Sequence, residues 1–368
     1  MHGGAFAGYG GMMVERILLR DDYSIARVIN GLWQLSAGHA LQSTIDSADV
    51  LRAFHELVER GFTTFDLADI YTGAEEFLGR FVQALKGSPS YRHEDLQIHT
   101  KYVPDINKLA SLNYADTAAV IHRSLKRLNR ERLDVVQFHW WDYEVPGCVE
   151  TAGHLMRLQE QGKIAHVSVT NFDTVHLKEL VDAGIEILSC QSQYSLLDRR
   201  VERNLLDYCR ANGIHLFCYG TLAGGLLSEK WIGQPVPEKP DNRSLVKYIQ
   251  VVEESIGWEK FQELLQLLNG IAQTHAVQIA HIATKYILSQ PGVAASIIGT
   301  RSSRHVASNA RIFAFELTGD DIAMIDGFIR PLRTVEGEPF ELERTAGSKF
   351  RNIMKMNLQQ EKHRSSES

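Results

Sequence analysis

One unit recurs along this chain and limits what it can fold into. A segment with helical apolar spacing ends in glycine, and a short β-branched or aromatic run follows at once. "FHELVERGFTTFD", "LMRLQEQGKIAHVSV", "LKELVDAGIEILSCQ" and "LLDYCRANGIHLFCY" all show it. Gly61, Gly162, Gly184 and Gly213 each fall where a helix ends in a left-handed residue. The runs after them are apolar on both faces, as parallel strands covered by helices are. "EDLQIHTK", "LDVVQFHW" and "VAASIIGT" add three strands, and "ARVINGLW" supplies a first. The strands are expected near 26–32, 63–66, 97–101, 134–139, 164–169, 187–191, 215–219 and 295–299. Eight β-α units in this length favour an α/β fold of the closed (β/α)8 type, a TIM barrel, over an open doubly wound sheet. The first strand lacks the G-x-G-x-x-G that usually opens a Rossmann sheet, and no P-loop is present.

Around the barrel, 14–25 ("VERILLRDDYSI") reads as an N-terminal hairpin closing the floor. The stretch 228–258, with Pro235, Pro237 and Pro240, reads as a long loop at the carboxyl face, where barrel enzymes keep their sites. The division expected is a flexible lead at 1–13, a barrel at 14–330 and a C-terminal loop and tail at 331–368. A formal charge of −6 and a pI near 6.2 leave no electrostatic footprint for nucleic acid. No apolar run is long enough to span a bilayer, and the first residues lack the pattern of a signal peptide. Cys148, Cys190, Cys209 and Cys218 form no C-x-x-C pair and read as reduced thiols, so a cytoplasmic location is expected. His154, His166 and His176 share no metal-ligand spacing, and no metal site is assigned. The basic run 122–132 reads as the solvated face of a barrel helix.

The expected strand ends carry the chemistry. Asp66 ends the second strand with Tyr71 just beyond; Lys101 ends the third and His139 the fourth. In a barrel these four converge on one face. A free phenol has a pKa near 10, too high for efficient proton exchange at neutral pH. A nearby ammonium stabilises phenolate and lowers that value. A carboxylate keeps the lysine charged, and an imidazole beside the phenol can orient a carbonyl oxygen. Such a group suits an oxygen that becomes an alkoxide, as in carbonyl reduction. The hydride must come from a cofactor, since no side chain supplies one.

D-x-x-x-x-Y with a strand-end lysine and histidine, in this order, resembles the tetrad of the aldo-keto reductase superfamily over about 15–330. The resemblance implies an NADP(H)-dependent oxidoreductase of small carbonyl or alcohol substrates, with the cofactor extended across the barrel mouth. It implies that Tyr71 is the proton donor, that Lys101 and Asp66 tune it, and that His139 orients the carbonyl. "VSVTNFD" is similar to the family's G-V-S-N-F and implies that Thr170 and Asn171 hold the nicotinamide carboxamide, with Gln191 in the same cluster. Tyr219 matches the aromatic that stacks on the nicotinamide, and Gly220 and Leu222 match backbone contacts to the pyrophosphate. "IIGTRSSRHVASNAR" resembles the adenosine-phosphate segment and implicates Thr300, Arg301, Ser302, His305 and Asn309. A helix N-terminus with an arginine suits a phosphate on physical grounds as well.

Three positions depart from the family's pattern: Gly220-Thr221 replaces Ser-Pro, Ser308 stands where many members have glutamate, and "INGLWQ" loses a glycine and a threonine of the first-strand motif. "FELER" at 340–344 resembles a phrase found in one subgroup. Trp33 and Trp140 abut strand ends and are expected as substrate-pocket walls, whereas Trp141 reads as packing. Three functions stay open: a reductase of aldehydes or ketones, a sugar or polyol dehydrogenase working oxidatively with the same tetrad, and a cofactor-binding regulatory subunit.

Overall fold

The computed structural model describes residues 14–36, 39, 46–86, 95–300 and 302–354. The lead at 1–13, Arg301 and the tail beyond 354 lie outside the described residues. Among the described residues ten strands are present: β1 (Arg16–Arg20), β2 (Tyr23–Ala26), β3 (Val28–Gly31), β4 (Thr64–Asp66), β5 (Gln97–Tyr102), β6 (Leu133–Phe138), β7 (Ile164–Thr170), β8 (Ser189–Gln193), β9 (His215–Tyr219) and β10 (Val293–Gly299). β3 to β10 close into a barrel in the order β10-β3-β4-β5-β6-β7-β8-β9, every pair parallel. The expected (β/α)8 barrel is therefore the fold.

The recurring glycines act as the sequence suggests. Gly61, Gly162, Gly184 and Gly213 all have positive φ. At the end of the Cys148–Glu160 helix, Gly162 N donates to Gln159 O and Lys163 N to Leu158 O, which satisfies two terminal carbonyls and turns the chain into β7. Alternate strand residues then divide between two cores. Phe65, Val136, Val167 and Leu216 face the helices, while Ile29, Val135, Phe217 and Ala295 fill the barrel axis.

β1 and β2 form an antiparallel hairpin whose Leu19 and Ile25 close the lower end of that inner core. Just above them, inside the barrel, lies His99. Its ring stacks on Phe217 (centroids 5.5 Å apart), and its Nε2 is 2.8 Å from Tyr23 Oη.

The stretch 228–258 is not simply a long loop. Its second half forms a helix, Arg243–Glu254, capped by Asn242 Oδ1 accepting from Leu245 N at 3.0 Å. Leu245, Tyr248, Ile249 and Val252 bury one face of it at helical spacing, and this period outweighs the prolines, which all precede the cap. The C-terminal segment also departs from a plain loop. Two short helices, Glu341–Arg344 and Lys349–Asn352, cross the carboxyl end of the barrel and form a strap beside the Arg243–Glu254 helix. No helix among the described residues is long and apolar enough to cross a membrane.

Candidate active site

The tops of β4, β5 and β6 bring the four expected residues to one cavity of ≈ 740 Å³. Asp66 is the last residue of β4. Tyr71 follows in a turn closed by Tyr71 N donating to Ala68 O at 3.0 Å. Lys101 Nζ donates to Asp66 Oδ2 at 2.6 Å and to Leu67 O at 2.9 Å. The pair is almost wholly removed from solvent. Asp66 Oδ1 accepts from Gln137 Nε2 at 2.6 Å and from Gln191 Nε2 at 2.7 Å, so both carboxylate oxygens are held. Gln191 Nε2 also donates to Gln137 Oε1 at 2.6 Å. Both of its amide hydrogens are thus engaged inside the barrel, and only Oε1 remains to meet a ligand.

Tyr71 lines the cavity, with the Lys101 ammonium 5.3 Å from its ring centroid. The expected lowering of its pKa is not what the surroundings produce. Burial pushes the phenol above its ordinary value, and Asp66, Asp69 and Tyr248 push the same way. Lys101 is directed at Asp66, which cancels much of the cation seen by the ring. Burial also lowers the Lys101 ammonium, with Asp66 acting against it. Tyr71 is therefore firmly protonated at neutral pH.

His139 stands one residue past β6, tied by its N–H to Tyr102 O at 3.0 Å. Its Nδ1 is 3.2 Å from Thr170 O. A carbonyl only accepts, so Nδ1 carries the proton and the neutral ring presents Nε2 as a lone pair. Nε2 is buried and has no protein partner. Burial, helped by the charge of Arg344, lowers the His139 pKa to about 3. His99 is lowered to about 3 as well, by burial first and then by Lys101 and His166.

These two histidines set an acid sensitivity. Below the unfolded pKa of about 6.5, the unfolded chain takes up their protons while the folded chain does so only near pH 3. Stability is expected to fall by about 1.4 kcal/mol per pH unit for each histidine as pH drops below about 6.5. Urea denaturation between pH 6.5 and 5 measures the slope. His99→Leu is expected to remove one such increment of it, since His281 and His166, also lowered by burial, add to the slope; an unchanged slope would contradict the account.

The cofactor residues inferred by resemblance mostly share the cavity. Thr170, Asn171, Gln191, Tyr219, Gly220, Leu222, Ser302, His305 and Asn309 lie on its wall, as does Trp33. Asn171 has a left-handed backbone (φ 61) and its Oδ1 accepts from Tyr219 Oη at 2.8 Å, which fixes both side chains. Thr170 Oγ1 is buried without a partner. Gly220 must be glycine: φ is 75, and a Cβ there would sit 2.2 Å from Tyr248 Oη. Thr300 is buried behind the wall rather than on it, its Oγ1 unpartnered. Ser308 donates to Gln278 Oε1 at 2.7 Å and lies 3.0 Å from His281 Nε2.

The tryptophan assignment is reversed. Trp140 is fully buried, away from the cavity, with Nε1 donating to Val145 O at 3.2 Å and its ring tilted against Phe138. Trp141 is on the wall and meets His139 edge-on, centroids 4.5 Å apart. The alternation of β6 accounts for it: with His139 facing the axis, residues 138 and 140 face the helices.

The sequence reading missed the strap and the helix beside it. Phe340 lines the cavity and meets the His139 ring edge-on at 5.5 Å. Glu343 accepts from Arg200 Nη1 at 3.0 Å and Nη2 at 3.2 Å, and lies 3.3 Å from Lys247 Nζ. Arg344 Nη2 donates to Trp140 O and Asn171 O, both at 2.8 Å. "FELER" is thus the part of the strap that fastens it over the site. Lys230 and Arg304 also reach the wall, and Arg304 Nε donates to Ser302 Oγ at 3.3 Å. Among the described residues no group of three or more His, Cys, Asp or Glu could hold a metal ion.

Residues 27–330 match the model of the Aldo/keto reductase family. The chain belongs to that family. It is similar to aldo-keto reductase YhdN of Bacillus subtilis, 26% identical over 80% of this chain and 87% of the relative. It is also similar to the NADH-specific methylglyoxal reductase of Escherichia coli, 25% identical over 83% of this chain and 94% of the relative. Among solved structures, the thermostable aldo-keto reductase Tm1743, in complex with the inhibitor epalrestat, superposes with a TM-score of 0.66. That match is 24% identical and covers 86% of this chain and 100% of the other, so it supports the fold alone. As an aldo-keto reductase the chain is an oxidoreductase of carbonyl compounds that uses a nicotinamide cofactor.

Proposed function

We propose that the protein reduces an aldehyde or ketone with NADPH, with Tyr71 as proton donor. The observation that carries this reading is the buried Lys101–Asp66 pair beneath Tyr71, on the same cavity wall as His139 Nε2. The cofactor residues fit their group: Thr170 Oγ1 is an unpartnered hydroxyl at the wall, Tyr219 offers a fixed ring face, and Arg304 and His305 lie further along. When bound, the cofactor supplies the hydride.

The chain's own groups do the rest. The Tyr71 hydroxyl donates to the carbonyl oxygen and passes its proton as that oxygen becomes an alkoxide. Lys101 steadies the phenolate left behind, and Asp66, gripped by Gln137 and Gln191, keeps the ammonium in place. His139 Nε2, a bare acceptor, receives the hydroxyl of the alcohol. Protonated Tyr71 suits reduction at neutral pH. Alcohol oxidation is a second reading, favoured by Nε2 accepting a substrate hydroxyl; it requires the phenolate and should therefore speed up with rising pH.

NADPH over NADH is proposed from the arginines near β10. A 2′-phosphate needs charge-assisted donors. Arg304 and the Ser302 hydroxyl on the wall, with Arg301 between them and β10 in sequence, are the candidates. The name of the E. coli relative shows that a related enzyme can be NADH-specific, so the coenzyme is tested directly. Arg301→Ala or Arg304→Ala is expected to weaken NADPH binding by about 10–100-fold, as for a lost hydrogen bond to a charged group, and to spare NADH. Dissociation constants for both coenzymes decide it. Equal losses would mean that neither arginine reads the phosphate.

A further inference from the structure

The inference rests on the carbonyl reading above and concerns the other end of the substrate. Lys247, on the Arg243–Glu254 helix, lines the cavity with its side chain 15% exposed. Its Nζ lies 5.5 Å from the Tyr219 ring centroid and 5.9 Å from that of Phe340. Its carboxylate contact is Glu343 at 3.3 Å, and Arg200 already holds Glu343 through two shorter bonds. An ammonium has three donors, and this contact leaves capacity facing the cavity.

Lys247 and Arg200 stand against Asp198 and Glu343, and Arg243, one turn before Lys247 on its helix, adds a cation to the same wall. Arg344 binds two backbone carbonyls, and no carboxylate among the described residues pairs with it. It is held between rings, its Cζ 4.2 Å from the Tyr143 centroid and 5.0 Å from that of Phe340. The wall here joins apolar Phe340, Trp141, Ile353 and Met354 to Arg243 and Ser244 of the Lys247 helix. In a partly buried wall the field of the Lys247 ammonium on an anion is stronger than it would be in water.

We propose that the strap end of the cavity is an anion subsite centred on Lys247, which takes the carboxylate of a substrate whose carbonyl meets the Tyr71 hydroxyl. One ammonium with spare donors matches a monoanion better than a phosphate dianion. The adenosine phosphate of the cofactor has other partners, since Ser302, Arg304 and His305 lie beyond β10. Lys247 instead faces Tyr219, Phe340 and Glu343. The space directly over Gly220 is filled by Tyr248.

The test compares 4-oxobutanoate with butanal, which have equal chain length and differ by one carboxylate. The wild-type protein is expected to favour the acid by about 10-fold or more in kcat/KM. Lys247→Met should lower that value for the acid by about 10–100-fold, mainly through KM, and far less for butanal; Lys247→Arg should restore part of it. Glu343 keeps both Arg200 bonds in the methionine variant, so the strap stays fastened. Equal losses on both aldehydes, no preference in the wild type, or a matching loss of NADPH affinity would each overturn the subsite. If neither aldehyde is reduced, the carbonyl reading fails by itself. The subsite is then decided by calorimetry of butanoate with the NADP-loaded protein: binding that Lys247→Met abolishes supports it, and no binding removes it.

Discussion

Tyr71→Phe is expected to lower carbonyl reduction by about 10²–10⁴-fold, the usual worth of a positioned general acid, while leaving NADPH binding unchanged. The substitution removes one oxygen from the cavity wall and keeps the ring that packs against Trp33, centroids 4.9 Å apart. It leaves Lys101 on Asp66 and Leu67 O, since neither bond involves the phenol. What is lost is the proton that meets the developing alkoxide. Because burial and the nearby carboxylates hold the Tyr71 phenol above its ordinary value, wild-type reduction should show no basic limb from this group below about pH 10. Steady-state rates across pH and a fluorescence titration of NADPH check both halves. A variant with wild-type turnover, or one that no longer binds the cofactor, would remove Tyr71 from the donor role.

That assignment was open to sequence reading because its signals are local. Asp66 and Tyr71 are five residues apart on one strand-loop junction, and Lys101 and His139 end the next two strands. A helix-ending glycine before an apolar run marks β4, β7 and β9 without any knowledge of tertiary contacts. The phenol's pKa direction was not readable in this way. It depends on how deeply the ring is buried and on Lys101 turning to Asp66, and neither has a sequence pattern. Trp140 and Trp141 were exchanged for a simpler reason: both abut a strand end, and only the inward orientation of His139 settles which one follows the axis. The Arg243–Glu254 helix was hidden by the prolines before it, although its buried positions 245, 248, 249 and 252 have helical spacing. The strap was the least legible part, because Arg200 and Glu343 are 143 positions apart and no spacing rule joins them.

The same pair yields the second large effect: Arg200→Met is expected to cost about 3–5 kcal/mol of stability, as breaking a buried ion pair does. Arg200 is 1% exposed and forks between two carboxylates that are themselves wholly buried. Its Nε donates to Asp198 Oδ1 at 3.0 Å and its Nη2 to Asp198 Oδ2 at 2.8 Å; Nη1 and Nη2 also donate to Glu343, and Nη1 reaches Glu338 O at 3.5 Å. Methionine fills part of the volume but leaves two buried anions with one ammonium, that of Lys247, and neutral donors such as the Gln193 amide and the backbone N–H of residue 200 beside them. Glu343 now titrates at about 2, because Arg200 and then Lys247 outweigh a burial that by itself would raise it. The stabilisation from this carboxylate is complete above the unfolded value of 4.5 and disappears only as pH falls through about 2. The strap should thus stay fastened through the mild acid range in which the two buried histidines weaken the barrel. Urea denaturation of Arg200→Met, Glu343→Gln and the double variant measures the pair. In the double variant the loss should be clearly smaller than the sum of the single losses, since the partners that each single change strands are removed together. Additive losses would mean that the strap is held by the packing of Phe340 and Phe350 rather than by charge, and Arg200 would then have no special part in closing the site.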